Sequence, residues 1–101
     1  MNTFGLKDRD VNTLLSVFAK YPEIKVVHLY GSRAKGNFKT GSDIDIAIMN
    51  KGINEKTLWN LKFDLEEGSL PYRVDITNYP ALTYPDLKEH IERVGILIYP
   101  V

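Results

Sequence analysis

The chain has 101 residues, 44% of them apolar, with 13 basic against 13 acidic side chains and no cysteine. One core and one small domain over residues 1–101 are what this length supports, and the balanced charge supplies no long-range field for gripping a nucleic-acid backbone or an anionic membrane, so extended nucleic-acid binding and membrane association are not expected. Disulfides, thiolate zinc sites and cysteine nucleophiles are excluded; with a start, MNTFGLKDRD, unlike a signal peptide and no apolar run of membrane-spanning length, this predicts a cytoplasmic protein.

From Asp8 or Asp10, either able to cap a helix, Val11, Leu14, Leu15 and Phe18 recur at helical spacing until Tyr21-Pro22 stops the pattern. Residues 24–30, IKVVHLY, are β-branched and aromatic and end at Gly31, predicting a buried strand. Residues 43–49, DIDIAIM, alternate strictly and predict a second strand, with Ile44, Ile46 and Ile48 on one face and Asp43 and Asp45 on the other. Asn54 can cap a helix bearing Leu58, Trp59, Leu61, Phe63 and Leu65, closed by Gly68 and Pro71. A third strand follows over 72–77, YRVDIT, with Asp75 and Thr77 opposite Val74 and Ile76. After Pro80, Leu87, Ile91 and Val94 make a third helical stripe that Gly95 ends, and ILIY over 96–99 makes a last strand. The order predicts an α+β fold: a single small domain with a mixed β-sheet and helices packed on one face.

Three features carry chemistry. Gly31-Ser32 stands where the first strand ends, and SRAKG can start a helical turn whose free N–H groups attract phosphate. Arg33, Lys35 and Lys39 add three positive charges between residues 31 and 42, with no acid among them. Each of these cations can equally decorate a surface loop; only Arg33, nearest Gly-Ser, is assigned a binding role. Asp43 and Asp45, two apart on a strand, share a face and repel unless a divalent cation neutralises them. Oxygen-only ligands favour Mg²⁺ or Mn²⁺. Asp75 joins them if its strand pairs beside residues 43–49. Three carboxylates, two metal ions and a phosphate cradle suit in-line attack on a phosphoryl group.

YGSRAKGNFKTGSDIDIAI resembles the Gly-Ser, ten residues, Asp-x-Asp pattern of the nucleotidyltransferase superfamily that includes DNA polymerase beta. RVDIT is similar to the strand carrying that superfamily's third carboxylate, and LPYRVDI through EHIERVGILIY resembles the minimal nucleotidyltransferase (MNT) family, so the likeness spans nearly the whole chain. The resemblance implies a nucleotidyltransferase fold, with Gly31 and Ser32 at the triphosphate and Asp43, Asp45 and Asp75 as catalytic metal ligands for two Mg²⁺ ions. It also implies transfer of a nucleoside monophosphate, AMP from ATP, to a hydroxyl with release of pyrophosphate. Larger members hold base and acceptor with a further helical region, for which this chain leaves no residues. The expected complement is an all-helical HEPN-type partner in a toxin–antitoxin-like pair, modified on a tyrosine, in a homo- or hetero-oligomer.

Two rival readings use the same residues. One is a non-catalytic binding module that neutralises a helical partner by contact; the other is a metal-dependent phosphohydrolase. A Walker ATPase is rejected, because Asn37-Phe38 stands where Lys-Ser/Thr belongs. His28 and His90 lack a second imidazole or thiol at ligand spacing and are assigned to packing. Trp59 is surplus to the buried stripe of Leu58, Leu61 and Leu65, so its exposure would mark a partner surface.

Overall fold

The computed structural model describes residues 4–101. Helix α1 (Asp8–Ala19) leads into strand β1 (Val27–Tyr30) and a short helix α2 (Gly31–Lys35). Strand β2 (Ile44–Ile48), helix α3 (Glu55–Glu67) and strand β3 (Val74–Asn78) follow, then a 3-10 turn (Tyr79–Ala81), helix α4 (Pro85–Val94) and strand β4 (Ile96–Tyr99). The strands form one mixed sheet in the order β3-β2-β1-β4.

Connections explain the directions. The path from β2 to β3 runs through α3, long enough to return the chain to the same end of the sheet, and these strands pair in parallel. Strand β1 pairs antiparallel with both β2 and β4. The mixed sheet of the sequence reading is therefore observed, with its one parallel pair joining the two strands that carry acids.

Alternation decides what is buried. Val27, Leu29, Ile44, Ile46 and Ile48 point to one face, where Leu14, Val17 and Phe18 of α1 and Leu61 and Leu65 of α3 close the main core. The opposite face of the sheet carries Tyr30 and Ala47, which cluster with Ile91 of α4 and are flanked by Tyr79, Leu82 and Leu87. The expectation of helices on one face holds for α1 and α3 and is corrected for α4. Its Leu87-Ile91-Val94 stripe needs an apolar seat, and Ala47, alternating with the core isoleucines, provides one on the second face.

Element boundaries differ in ways that trace to single side chains. Neither Asp8 nor Asp10 caps α1: Lys7 holds the N-cap position, and the two acids lie in the first turn, where negative charge favours the N–H end of a helix. Residues 24–26 precede β1 rather than belonging to it. Asn50 Oδ1 accepts from the Lys25 and Val26 N–H groups at 2.9 and 3.0 Å, and Asn50 Nδ2 donates to the Glu23 carbonyl at 2.8 Å, so a side chain replaces part of the ladder. Strand β3 starts at Val74, not Tyr72. Helix α4 starts at Pro85, whose fixed φ suits a first helical position, and Pro80 belongs to the 3-10 turn. The Asn54 cap is as expected, with its side chain accepting from the Thr57 N–H at 2.8 Å. No helix among the described residues is long and apolar enough to cross a membrane.

Candidate active site

Parallel register brings the acids together. Asp45 of β2 and Asp75 of β3 are direct Cα partners, and Tyr30 of β1 is the partner of Asp45 on its other side. One row across the sheet therefore reads Tyr30, Asp45, Asp75, all on the face opposite the main core. Asp43 stands exposed two residues before Asp45, at the mouth of the strand. The condition placed on Asp75, that its strand lie beside residues 43–49, is met.

The row ends at a turn that only glycine makes easily. Gly31 has φ +75°, a left-handed conformation, and a Cβ there would overlap the Asp45 Oδ2. Gly31 therefore does two things: it turns β1 directly into α2, and it leaves room for the Asp45 carboxylate beside the backbone. Ser32 follows in the first turn of α2, and Gly36, also left-handed at φ +87°, ends the helix. The helical turn expected of SRAKG is present, and it starts at Gly31.

Arg33 is not where the sequence reading puts it. Its side chain is buried at 2% exposure. Nε and Nη2 donate to the Ser42 carbonyl at 3.2 and 2.8 Å, and Nη1 donates to the Phe4 carbonyl at 2.7 Å. The guanidinium carbon lies 5.2 Å from the Phe38 ring centroid and 4.7 Å from that of Tyr72. The nucleotide-binding role assigned to Arg33 is corrected: a guanidinium with those partners holds the loop, fixing Ser42 immediately before Asp43. Lys35 and Lys39 are the exposed cations of this segment.

Electrostatics mark the carboxylate pair. Asp45 is half-buried, and its carboxyl is pushed up to about 6, first by burial and then by the like charges of Asp75 and Asp43. A bare carboxylate is thus disfavoured at this point, as in a site shaped for a cation. The donors are oxygen only, which suits Mg²⁺ or Mn²⁺. Among the described residues, no three His, Cys, Asp or Glu side chains form a ready-made metal cluster. In donor chemistry and charge the residues fit a divalent ion. Asp75 itself is exposed on the edge strand.

Two neighbours of the site escape the sequence reading. The Tyr30 hydroxyl and Thr77 Oγ1 lie 2.9 Å apart, bridging over Ala47 from β1 to β3. Burial raises the Tyr30 pKa, the bond to Thr77 opposes that rise, and the charges of Asp45 and Asp75 add to it. The signal is there in the chain: Tyr30 directly precedes Gly31, and Thr77 alternates with Asp75. His28 is lowered by burial, and His90 packs edge-on against Tyr30 with ring centroids 6.0 Å apart.

Residues 12–100 match the family described as Polymerase beta, Nucleotidyltransferase. The chain belongs to the polymerase beta nucleotidyltransferase family. A Haemophilus influenzae relative, the probable protein adenylyltransferase MntA, is 30% identical over 94 residues, covering 92% of this chain and 82% of the relative. This nucleotidyltransferase also resembles a solved candidate minimal nucleotidyltransferase at 31% identity and TM-score 0.66, covering 95% of each chain. At 18% identity it shares a fold, with TM-score 0.69, with a chain in the solved complex of tri-AMPylated Shewanella oneidensis HEPN toxin and MNT antitoxin, covering 95% of this chain and 74% of that one. The expected nucleotidyltransferase fold and minimal family are thereby shown.

Proposed function

We propose that this nucleotidyltransferase moves AMP from ATP to a side-chain hydroxyl, a tyrosine, of an all-helical HEPN-type partner, releasing pyrophosphate. The observation that carries this reading is the in-register pair Asp45–Asp75, with Asp43 two residues away and the Gly31-Ser32 turn closing against Asp45. The relative's name and the AMPylated HEPN complex supply the nucleotide and the partner by similarity.

Asp43, Asp45 and Asp75 would hold two Mg²⁺ ions, which when bound supply charge neutralisation at the α-phosphate and at the attacking oxygen. The chain's own residues do the rest by positioning. The N–H groups at Gly31 and Ser32 and the Ser32 hydroxyl bind the triphosphate tail. Arg33 fixes the loop that presents Asp43. The acceptor oxygen bonds to the α-phosphorus as the bridge to the β-phosphate breaks; pyrophosphate leaves with that bridging oxygen, and the hydroxyl proton passes to the Asp75 carboxylate.

The test is incubation of the chain with Mg²⁺, ATP labelled at the α-phosphate and a HEPN-type partner, beside the Asp43→Asn variant. Wild type is expected to label the partner, and the variant to lose about a hundredfold or more of that rate. A variant that labels equally would remove Asp43 from the mechanism. If wild type labels nothing, and both it and the Asp43→Asn variant silence the partner to the same extent, neutralisation is by contact instead.

A further inference from the structure

The two edges of the sheet are not alike. At the β3 edge the Ile44 N–H donates to the Arg73 carbonyl at 2.9 Å, and a strand turns the main-chain groups of successive residues to opposite sides. Arg73, Asp75 and Thr77 therefore face β2, whereas Val74 and Ile76 aim their N–H and C=O groups outward, where β3 has no neighbouring strand among the described residues. Strand β4, at the other edge, slips register with β1 between Val27 and His28. Such an irregularity twists an edge away from further pairing.

Along the free side of β3 runs a pocket of about 210 Å³, lined by Val74, Asp75 and Ile76 and, from α3, by Leu58, Trp59 and Lys62. It lies on the α3 side of the sheet, away from the carboxylate row. A cavity of about 150 Å³ already takes a benzene ring, so one large apolar side chain fits. Trp59 is 72% exposed, the condition set for a partner surface, and α3 fills the core with Leu61 and Leu65 instead. Lys62 is the cation of the lining. Its contact with Glu66, 4.0 Å between exposed groups, is worth little, so the ammonium is open to a better partner.

We infer that the β3 edge is a strand-addition site for an extended segment of a partner protein. Main-chain groups of the segment pair with those of Val74 and Ile76, and its alternate side chains fall on the α3 side: an apolar or aromatic residue in the pocket against Trp59, and an acid at Lys62. The side chains between them stand beside Asp75 on the other face, where an acid is repelled. The occupant is a different protein, not a second copy, because an antiparallel copy that pairs Val74 with Ile76 sets Asp75 opposite Asp75, like charges in direct register. This docking mode needs neither nucleotide nor metal and stands apart from the transfer reading.

The test selects binders to the full chain from a phage-displayed library of short random peptides, then follows main-chain amide exchange of the chain with a selected peptide. The selected sequences are expected to carry an apolar residue and an acid two apart, and binding to slow exchange of the Val74 and Ile76 N–H groups by at least about tenfold. Trp59→Ala should raise the peptide Kd about tenfold, with an unchanged urea midpoint showing that the core is intact. A peptide N-methylated at the positions that face β3 should lose binding, and one methylated at the intervening positions should keep it. Equal binding of the two methylated peptides, or binding that leaves both amides exchanging as in the free chain, overturns strand addition. So does a library that yields no binder. Slowed exchange at both amides that grows with chain concentration alone would assign the edge to a second copy and overturn the partner.

Discussion

Gly31 is the residue on which local backbone and site chemistry meet. Its left-handed φ and the closeness of Asp45 both oppose a side chain. Gly31→Ala is expected to cost about 1–3 kcal/mol from the backbone alone, and to lower partner labelling about a hundredfold by displacing the Asp45 carboxylate. Denaturant midpoints and labelling rates check the two effects, and a variant with normal rates would mean that Asp45 tolerates displacement. Arg33 shows why a motif-adjacent charge misleads. Sequence proximity to Gly31-Ser32 suggests phosphate binding, but α2 is only five residues long, and one step along it turns the side chain inward between Phe38 and Tyr72. Nothing in the sequence reveals that the Ser42 carbonyl needs a donor. By contrast, that Asp43 and Asp45 share a face is legible from strand alternation alone, whereas Asp75 joins them only through the parallel register of β2 and β3.

At the scale of elements, the helices and strands follow from patterns whose physics is local, and the departures follow from contacts that are not. Helix α3 begins where Asn54 predicts, because a cap bond spans only three residues. Asn54→Ala is expected to lower stability by about 1 kcal/mol, measured by urea unfolding, with the labelling rate per folded molecule unchanged. A loss of labelling beyond the loss of folded protein would mean that the start of α3 also supports the site. The lead-in to β1 is hidden from the sequence because Asn50, 25 residues on, supplies the acceptor for Lys25 N–H. The second-face position of α4 is likewise illegible. Ala47 reads as an ordinary small residue in an alternating strand, and only the Tyr30–Thr77 bridge above it and Ile91 beside it define the seat.

For the molecule as a whole, the site works against the stability of the fold that carries it. Asp45 titrates near 6 in the folded chain, against an ordinary carboxyl value near 4 when unfolded. Between those values the folded state binds the extra proton, so stability falls as pH rises through the window and stays reduced above it. Asp45→Asn removes that penalty. Because solvent screens this half-buried carboxyl, the gain above pH 6 is on the order of 1 kcal/mol, or about 4–8 °C in Tm for a domain of this size, and it vanishes near pH 4. Thermal unfolding of both proteins across that range, without divalent cation, measures it; a variant no more stable than wild type at pH 8 would show that burial and the neighbouring acids do not penalise the ionised Asp45. Adding Mg²⁺ should then raise the wild-type Tm above pH 6, since ligand binding to the native state stabilises it, and move the Asp45→Asn variant little. The same carboxylate would thus destabilise the free fold and be stabilised by its ion, which gives this small domain a measurable thermodynamic reason to bind one.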